Sequence, residues 1–92
     1  MRLTIAAAFQ ADAQTLAADE RARLFDVLLA LPEAFREPGR HAGLGLRKLH
    51  SSGIWEARLG LGLRLILALA QDELVLVRVA THDEVRRYLR QL

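Results

Sequence analysis

The stretch from Ile54 to Thr81, IWEARLGLGLRLILALAQDELVLVRVAT, most constrains what this chain can become. It reads as three short strands joined by two tight turns, Gly60-Leu61-Gly62 and Gln71-Asp72. Ile, Leu and Val dominate the segments, and these residue types suit a pleated, half-buried surface. Arg58, Arg64 and Arg78 interrupt that pattern. A strand that only buries a core has no need of arginine. With residues 60–62 as a three-residue connection, Leu59 faces Leu63, and Arg58 lies directly opposite Arg64. Like charges so placed are destabilising. Either Glu56, two residues along that face, offsets them as an ordinary surface pairing, or an anion binds between them. Arg78 has apolar neighbours on both faces (Leu74 to Val77, and Val79), the mark of a central strand. A guanidinium there must be paired or open into a cleft. Its face depends on the length of the turn at Gln71.

Ahead of these strands, residues 2–9 alternate as a strand would, with Leu3, Ile5, Ala7 and Phe9 on one face. The alanines leave helix as a competitor. Asp12 is placed to cap a short helix over about residues 13–17. A longer helix follows, with Asp19 as N-cap and Glu20 in the first turn. Leu24, Leu28 and Leu31 form its apolar stripe, widened by Phe25 and Leu29. Pro32 predicts its end or a kink near Ala30 or Leu31, with Glu33 to Phe35 adding one further turn. Residues 36–53 form the longest irregular stretch, punctuated by Pro38, Gly39, Gly43, Gly45 and Gly53. It carries Arg36, Arg40, His41, Arg47, Lys48 and His50, while Leu44, Leu46 and Leu49 pin it to the core. So long a basic loop in so small a domain is more often functional than idle. Asp83 to Leu92 closes the chain as a helix, capped by Thr81 or Asp83, with Val85 and Leu89 inward and Arg86, Arg87 and Arg90 on it.

A length of 92 residues points to one domain spanning 1–92. Cysteine is absent, which removes disulfides and thiolate metal sites and accords with a reducing cytoplasm. The apolar run at the amino terminus is too short for a signal-peptide core or a membrane span, so no membrane role is expected. Residues 1–39 hold four Arg against six Asp or Glu, and residues 40–92 hold nine Lys or Arg against five acids. Basic charge thus gathers on the half with the three strands. That asymmetry suits an anionic partner such as nucleic acid, or simply a solvated basic surface. His82 stands where the last strand runs out, beside Asp83, and an imidazole there can exchange protons near neutral pH or merely bond Asp83 at a helix start. Three histidines without tight pair spacing give no metal signature, and no glycine-rich phosphate loop is present.

Taken in order, a strand, two helices, a basic loop, GIWEARLGLGLRLILAL, DELVLVRVATHDEV and a final helix resemble the RelE/ParE superfamily of toxins from bacterial toxin–antitoxin pairs. The resemblance covers nearly the whole chain. It is carried by Leu49 with Trp55-Glu56-Ala57-Arg58 and Gly62-Leu63-Arg64, and by Ala80-Thr81-His82-Asp83-Glu84-Val85. It implies an α+β fold, β-α-α-β-β-β-α, with a curved, mostly antiparallel sheet backed by a helical pair. It also implies a cognate antitoxin and an endoribonuclease acting on messenger RNA, commonly at the ribosome; the ParE branch instead poisons DNA gyrase, and a third alternative is an inactive binding module of the same fold. Arg64 matches the third-strand arginine that ribonuclease members use on the scissile phosphate. His82 lies where several members place a catalytic basic or histidine residue, and Arg58 joins this pair as a candidate catalytic group. Arg47, Lys48 and His50 fall where relatives supply basic groups for nucleic acid, and Arg78, Arg86 and Arg87 extend that set. Glu56, Asp83 and Tyr88 are candidate supporting residues, and neither metal nor cofactor is implied. In one departure, relatives usually carry tyrosine just after the equivalent of Val85, where this chain has Arg86. Tyr88 sits about 200° further around the helix.

Overall fold

The structure, a computed structural model, describes residues 2–37 and 43–92. Pro38, Gly39, Arg40 and His41 of the predicted basic loop lie outside the described residues. The elements run β1 (Arg2–Ile5), α1 (Ala7–Gln14), α2 (Ala18–Arg36), β2 (Arg47–His50), β3 (Ile54–Arg58), β4 (Leu63–Ala70), β5 (Glu73–Thr81) and α3 (His82–Arg90). The strands form one sheet in the order β1-β5-β4-β3-β2, parallel only between β1 and β5. The expected α+β class and mostly antiparallel sheet are found, with one strand more than expected. That strand, β2, lies inside the stretch expected to be irregular. It forms because the turn after His50 folds Arg47–His50 back onto β3. Gly53 closes the turn at φ +95°, and its carbonyl accepts the Leu69 N–H at 2.9 Å.

The expected strand over residues 2–9 stops at Ile5, where its pairing with β5 ends opposite Leu76. Ala7 and Ala8, which could alternate in a strand, instead follow their helical propensity into α1. Asp12 is therefore inside α1 and caps nothing. Its carboxylate reaches β5 beyond the end of β1, accepting the Val79 N–H at 2.9 Å. A side chain thus takes the ladder hydrogen bond that a longer β1 would have supplied, so this stretch of edge is not left bare.

Helix α2 runs unbroken from Ala18 to Arg36, with Pro32 inside it. Of the end or kink expected at Pro32, the end is not found, and Glu33 to Phe35 add the expected further turn, because Leu31 and Ala34, on either side of the proline, are both buried. Packing of that turn outweighs the one hydrogen bond that proline removes. The N-cap is Ala17 rather than Asp19; the Ala17 N–H donates to the Glu20 carboxylate at 2.8 Å. The buried line is Leu24, Val27, Leu31 and Ala34, with Leu28 only partly covered. Phe25 and Leu29, expected to widen the stripe, are 61% and 67% exposed. The smaller Val27 and Ala34 face the sheet instead, and Phe35 meets Trp55 edge-on at 5.2 Å.

The core lies between the helical pair and one face of the sheet. Phe9, Leu24, Val27, Leu31 and Ala34 pack against Ala57, Leu59, Leu65, Leu67, Leu74, Leu76 and Val79. Leu44, as expected, joins this cluster, and Leu46 packs against it. The opposite face of β4 carries Ile66, also buried. Helix α3 lies over that position through Val85 and Tyr88, which share a lining with Ile66, Arg78 and Ala80. Thr81 caps α3, accepting the Glu84 N–H, and the Glu84 carboxylate accepts the Thr81 N–H in return. Among the described residues no helix is long and apolar enough to cross a membrane.

Candidate functional site

The face of the sheet turned away from α1 and α2 collects most of the predicted site residues. Cross-strand partners share a face, so the register gives three successive rows. His50, Ile54 and Ala68 form the first, Arg47, Glu56, Ile66 and Arg78 the second, and Arg58, Arg64 and Ala80 the third. Arg58 stands directly opposite Arg64, as the Gly60-Leu61-Gly62 connection predicts. Lys48 pairs with Trp55 and lies on the other face. Arg78 shares the open face with Arg64, but the turn at Gln71 does not decide this. A two-residue turn with unbroken pairing would set Arg78 opposite Leu65, over the core. A β-bulge at Val77 shifts the register so that Ile66 faces Arg78 instead.

Two arginines are held in place by the fold. Arg64 Nη1 donates to the carbonyls of Gly60, Leu61 and Leu63 at 3.2, 3.4 and 3.0 Å. The guanidinium therefore caps its own hairpin and carries a charge that does not need to reorganise when an anion arrives. Arg78 donates to Asp12 through Nε at 2.6 Å and Nη2 at 3.1 Å, the paired arrangement that a central-strand arginine demands. That pairing, with the Val79 N–H, holds the Asp12 carboxyl below its ordinary range against the opposing effect of burial. Arg58 makes no ion pair with a described carboxylate, and its side chain lies against the backbone of Gly45. A Cβ at Gly45 would meet Arg58 Cβ, Nε and Cζ at 3.2–3.4 Å.

Glu56 is the one charged residue buried among the described residues, at 6% exposure. Its Oε2 takes Arg47 Nη2 at 3.1 Å, and its Oε1 lies 4.0 Å from Arg64 Nε without a hydrogen-bond partner. The carboxylate thus sits between two guanidiniums and two residues from a third. His82 opens α3 and is exposed; its N–H donates to the Gly62 carbonyl at 3.1 Å. The turn that Arg64 grips is thereby also tied to the backbone of His82. Asp83, Arg86 and Arg87 are exposed on α3. Tyr88, one turn beyond Val85, borders a cavity of about 70 Å³ with Ile66, Arg78, Ala80 and Glu84, so its ring does reach the open face. Sequence reasoning missed Asp12, Gly45 and Ser52. No local signal joins Asp12 to Arg78, whereas the Ser-Ser-Gly run after His50 could have marked a turn able to engage that ring.

No family model matches the chain, and no curated protein matches it in sequence. Solved structures do match in fold. A copper-bound mutant toxin from Helicobacter pylori superposes with a TM-score of 0.71 and 22% identity, covering 92% of this chain and 98% of that one. A YoeB/ParE toxin from Agrobacterium tumefaciens gives 0.66 and 22%, over 89% and 99% of the two chains. The RelB–RelE antitoxin–toxin complex from Methanococcus jannaschii gives 0.67 and 17%, over 92% and 96%. The chain has the fold of the RelE/ParE-type toxins.

Proposed function

We propose that this chain is the toxin of a type II toxin–antitoxin pair and a metal-independent endoribonuclease. Its substrate is messenger RNA, cut in association with the ribosome in the cytoplasm, so that translation stops. The observation that carries the reading is the Arg58–Arg64 pair on the open face, with Arg64 anchored by three carbonyls. Two like charges directly opposite cost stability, and a phosphate between them turns that cost into binding. The fold supports a protein partner as well, since solved relatives in fold include complexes of toxin with antitoxin.

The chemistry follows from the residue types. The 2′-hydroxyl oxygen of one nucleotide attacks the adjacent phosphorus, losing its proton, and the bond to the 5′ oxygen breaks as that oxygen gains one. The products are a 2′,3′-cyclic phosphate and a 5′-hydroxyl. Arg64 and Arg58 carry the charge that builds on the phosphate oxygens, and an oriented donor of this kind is worth about 10²–10³-fold in rate. His82 exchanges a proton with the reacting oxygens, worth roughly 10²–10⁴-fold. Arg47 and His50 hold flanking backbone.

Inducible expression in a bacterial host tests the reading. Growth should arrest with truncated transcripts, and Arg64→Ala should restore both growth and full-length messages. Supercoiling defects over intact transcripts would instead make the chain a gyrase poison.

A further inference from the structure

We infer that the outward face of α2 is a docking seam for one helix of a partner protein, an amphipathic helix whose apolar stripe is flanked by Lys or Arg. The core lies between α2 and the sheet, so this seam is on the far side of the molecule from the open face. A partner there leaves the face proposed for RNA uncovered.

Phe25 and Leu29, 61% and 67% exposed, do not stand alone on that face. Ala18, Ala22, Phe25, Leu29, Pro32 and Arg36 follow one another at intervals of four and three residues, and all six are exposed. At about 100° per residue, they fall within about 40° of a single line along the helix. The buried residues Leu24, Val27, Leu31 and Ala34 all lie about 120° or more from that line. Helix α2 therefore carries two apolar stripes, and the sheet covers only one. A single exposed apolar side chain needs no explanation, whereas a continuous stripe with a polar rim marks an interaction surface. Alternation of four and three is the spacing by which one helix packs along another at about 20°. Residues 18–36 offer about 27 Å of such a seam, five turns of a partner helix.

Charge selects the occupant. Asp19, Asp26 and Glu33, seven residues apart, run along one flank of the seam, about 60–100° from its centre. The other flank has Arg21 and then Leu28 and Phe35, which lead back to the core. Residues at such flanking positions set which helix pairs and in which direction. A second copy of α2 laid antiparallel would set Asp26 against its own counterpart and Asp19 against Glu33. Laid parallel, it would set Arg36 against Arg36 within the seam. Both arrangements oppose like charges and so disfavour self-pairing. A helix with a basic flank meets the acidic row with opposite charge.

The test uses the full chain and two fluorescein-labelled helical peptides, each about three heptads long to match the seam. Both carry Leu at the stripe positions; one has Lys on the flanks and the other Glu. The Lys peptide should bind, with the Glu peptide about tenfold weaker or worse. Leu29→Ala should weaken the Lys peptide about tenfold or more, the scale of burying one leucine side chain, and should leave Tm unchanged because Leu29 is exposed. Asp26→Lys should narrow the gap between the peptides, weakening the first and strengthening the second. Amide shifts on binding should fall on α2 and spare β3 and β4. Equal affinity for the two peptides, binding of neither, indifference to Leu29→Ala, or shifts centred on the open face would each overturn the inference. So would a dimer of this chain that Leu29→Ala dissolves, since a second copy would then be the occupant.

Discussion

At the scale of single residues, the side chains that matter are those whose partners lie far along the chain. Asp12 and Arg78 are 66 positions apart, yet the carboxylate takes two guanidinium bonds and a backbone N–H of β5. The folded Asp12 carboxyl is shifted downward, first by the bond from Arg78. Its contribution is therefore complete above the ordinary aspartate value of about 3.9 and fades as pH falls through the lower folded value. Asp12→Asn keeps an acceptor for Val79 but loses the charge. Denaturant titration should show a loss of about 1 kcal/mol at neutral pH, Arg78 being half exposed. The variant's stability should also fall less than the wild type's between pH 4 and pH 2; parallel acid limbs would contradict this account of the pair. Gly53 gives a sharper case. At φ +95° a Cβ there would sit 2.6 Å from the Leu69 carbonyl oxygen, so Gly53→Ala must break the turn that aims His50. The cost should be about 2 kcal/mol or more, measurable as a drop in Tm. The Arg58–Arg64 pairing was legible in advance because Gly-Leu-Gly sets a local register. Asp12 was not, because nothing local connects it to β5.

At the scale of elements, two irregularities in the sheet do more for the site than the regular strands do. The bulges at Val77 and between Lys48 and His50 each bring a basic residue to the open face. The bulge at Val77 does not show in a hydrophobic pattern, since Leu74 to Val77 and Val79 are apolar on both faces whichever register is chosen. The end of β1 was hidden for a related reason: Ala6 to Phe9 alternates acceptably, and only loss of pairing after Ile5 releases it into α1. The stop expected at Pro32 is not found, because a local rule about one hydrogen bond met the buried side chains of Leu31 and Ala34 on the core side of that turn. Helix α3 covers Ile66 through Val85 and Tyr88, and its start depends on the reciprocal bonds between Thr81 and Glu84. Thr81→Ala should cost about 1 kcal/mol and speed amide hydrogen exchange across α3, while exchange in β4 and β5 stays slow. Uniform acceleration across the protein would mean that the cap does not act on α3 alone.

At the scale of the whole molecule, the sheet separates two jobs. One face is committed to the core with α1 and α2, and the other carries Arg47, Arg58, Arg64 and His50 around a single buried carboxylate. The fold class was legible because strand and helix order survive errors of a few residues at each boundary. The open face was legible only where a turn fixed register. A site built from phosphate contacts should also show itself in salt dependence. The slope of log affinity for single-stranded RNA against log salt should shrink by about 0.7 for each phosphate contact removed, so Arg58→Ala should flatten it by that amount. An unchanged slope would place Arg58 outside the interface.

We propose that Arg64, bonded to three carbonyls of its own hairpin, drives attack of a ribose 2′-hydroxyl without metal. Mass analysis of RNA fragments made by the purified protein on ribosome-bound message, in the presence of a chelator, tests it most directly. The expected fragments carry 2′,3′-cyclic phosphate and 5′-hydroxyl ends, with cleavage falling about 10²–10³-fold in Arg64→Ala while the variant stays folded. Fragments ending in 3′-hydroxyl and 5′-phosphate, or cleavage indifferent to Arg64→Ala, would contradict it.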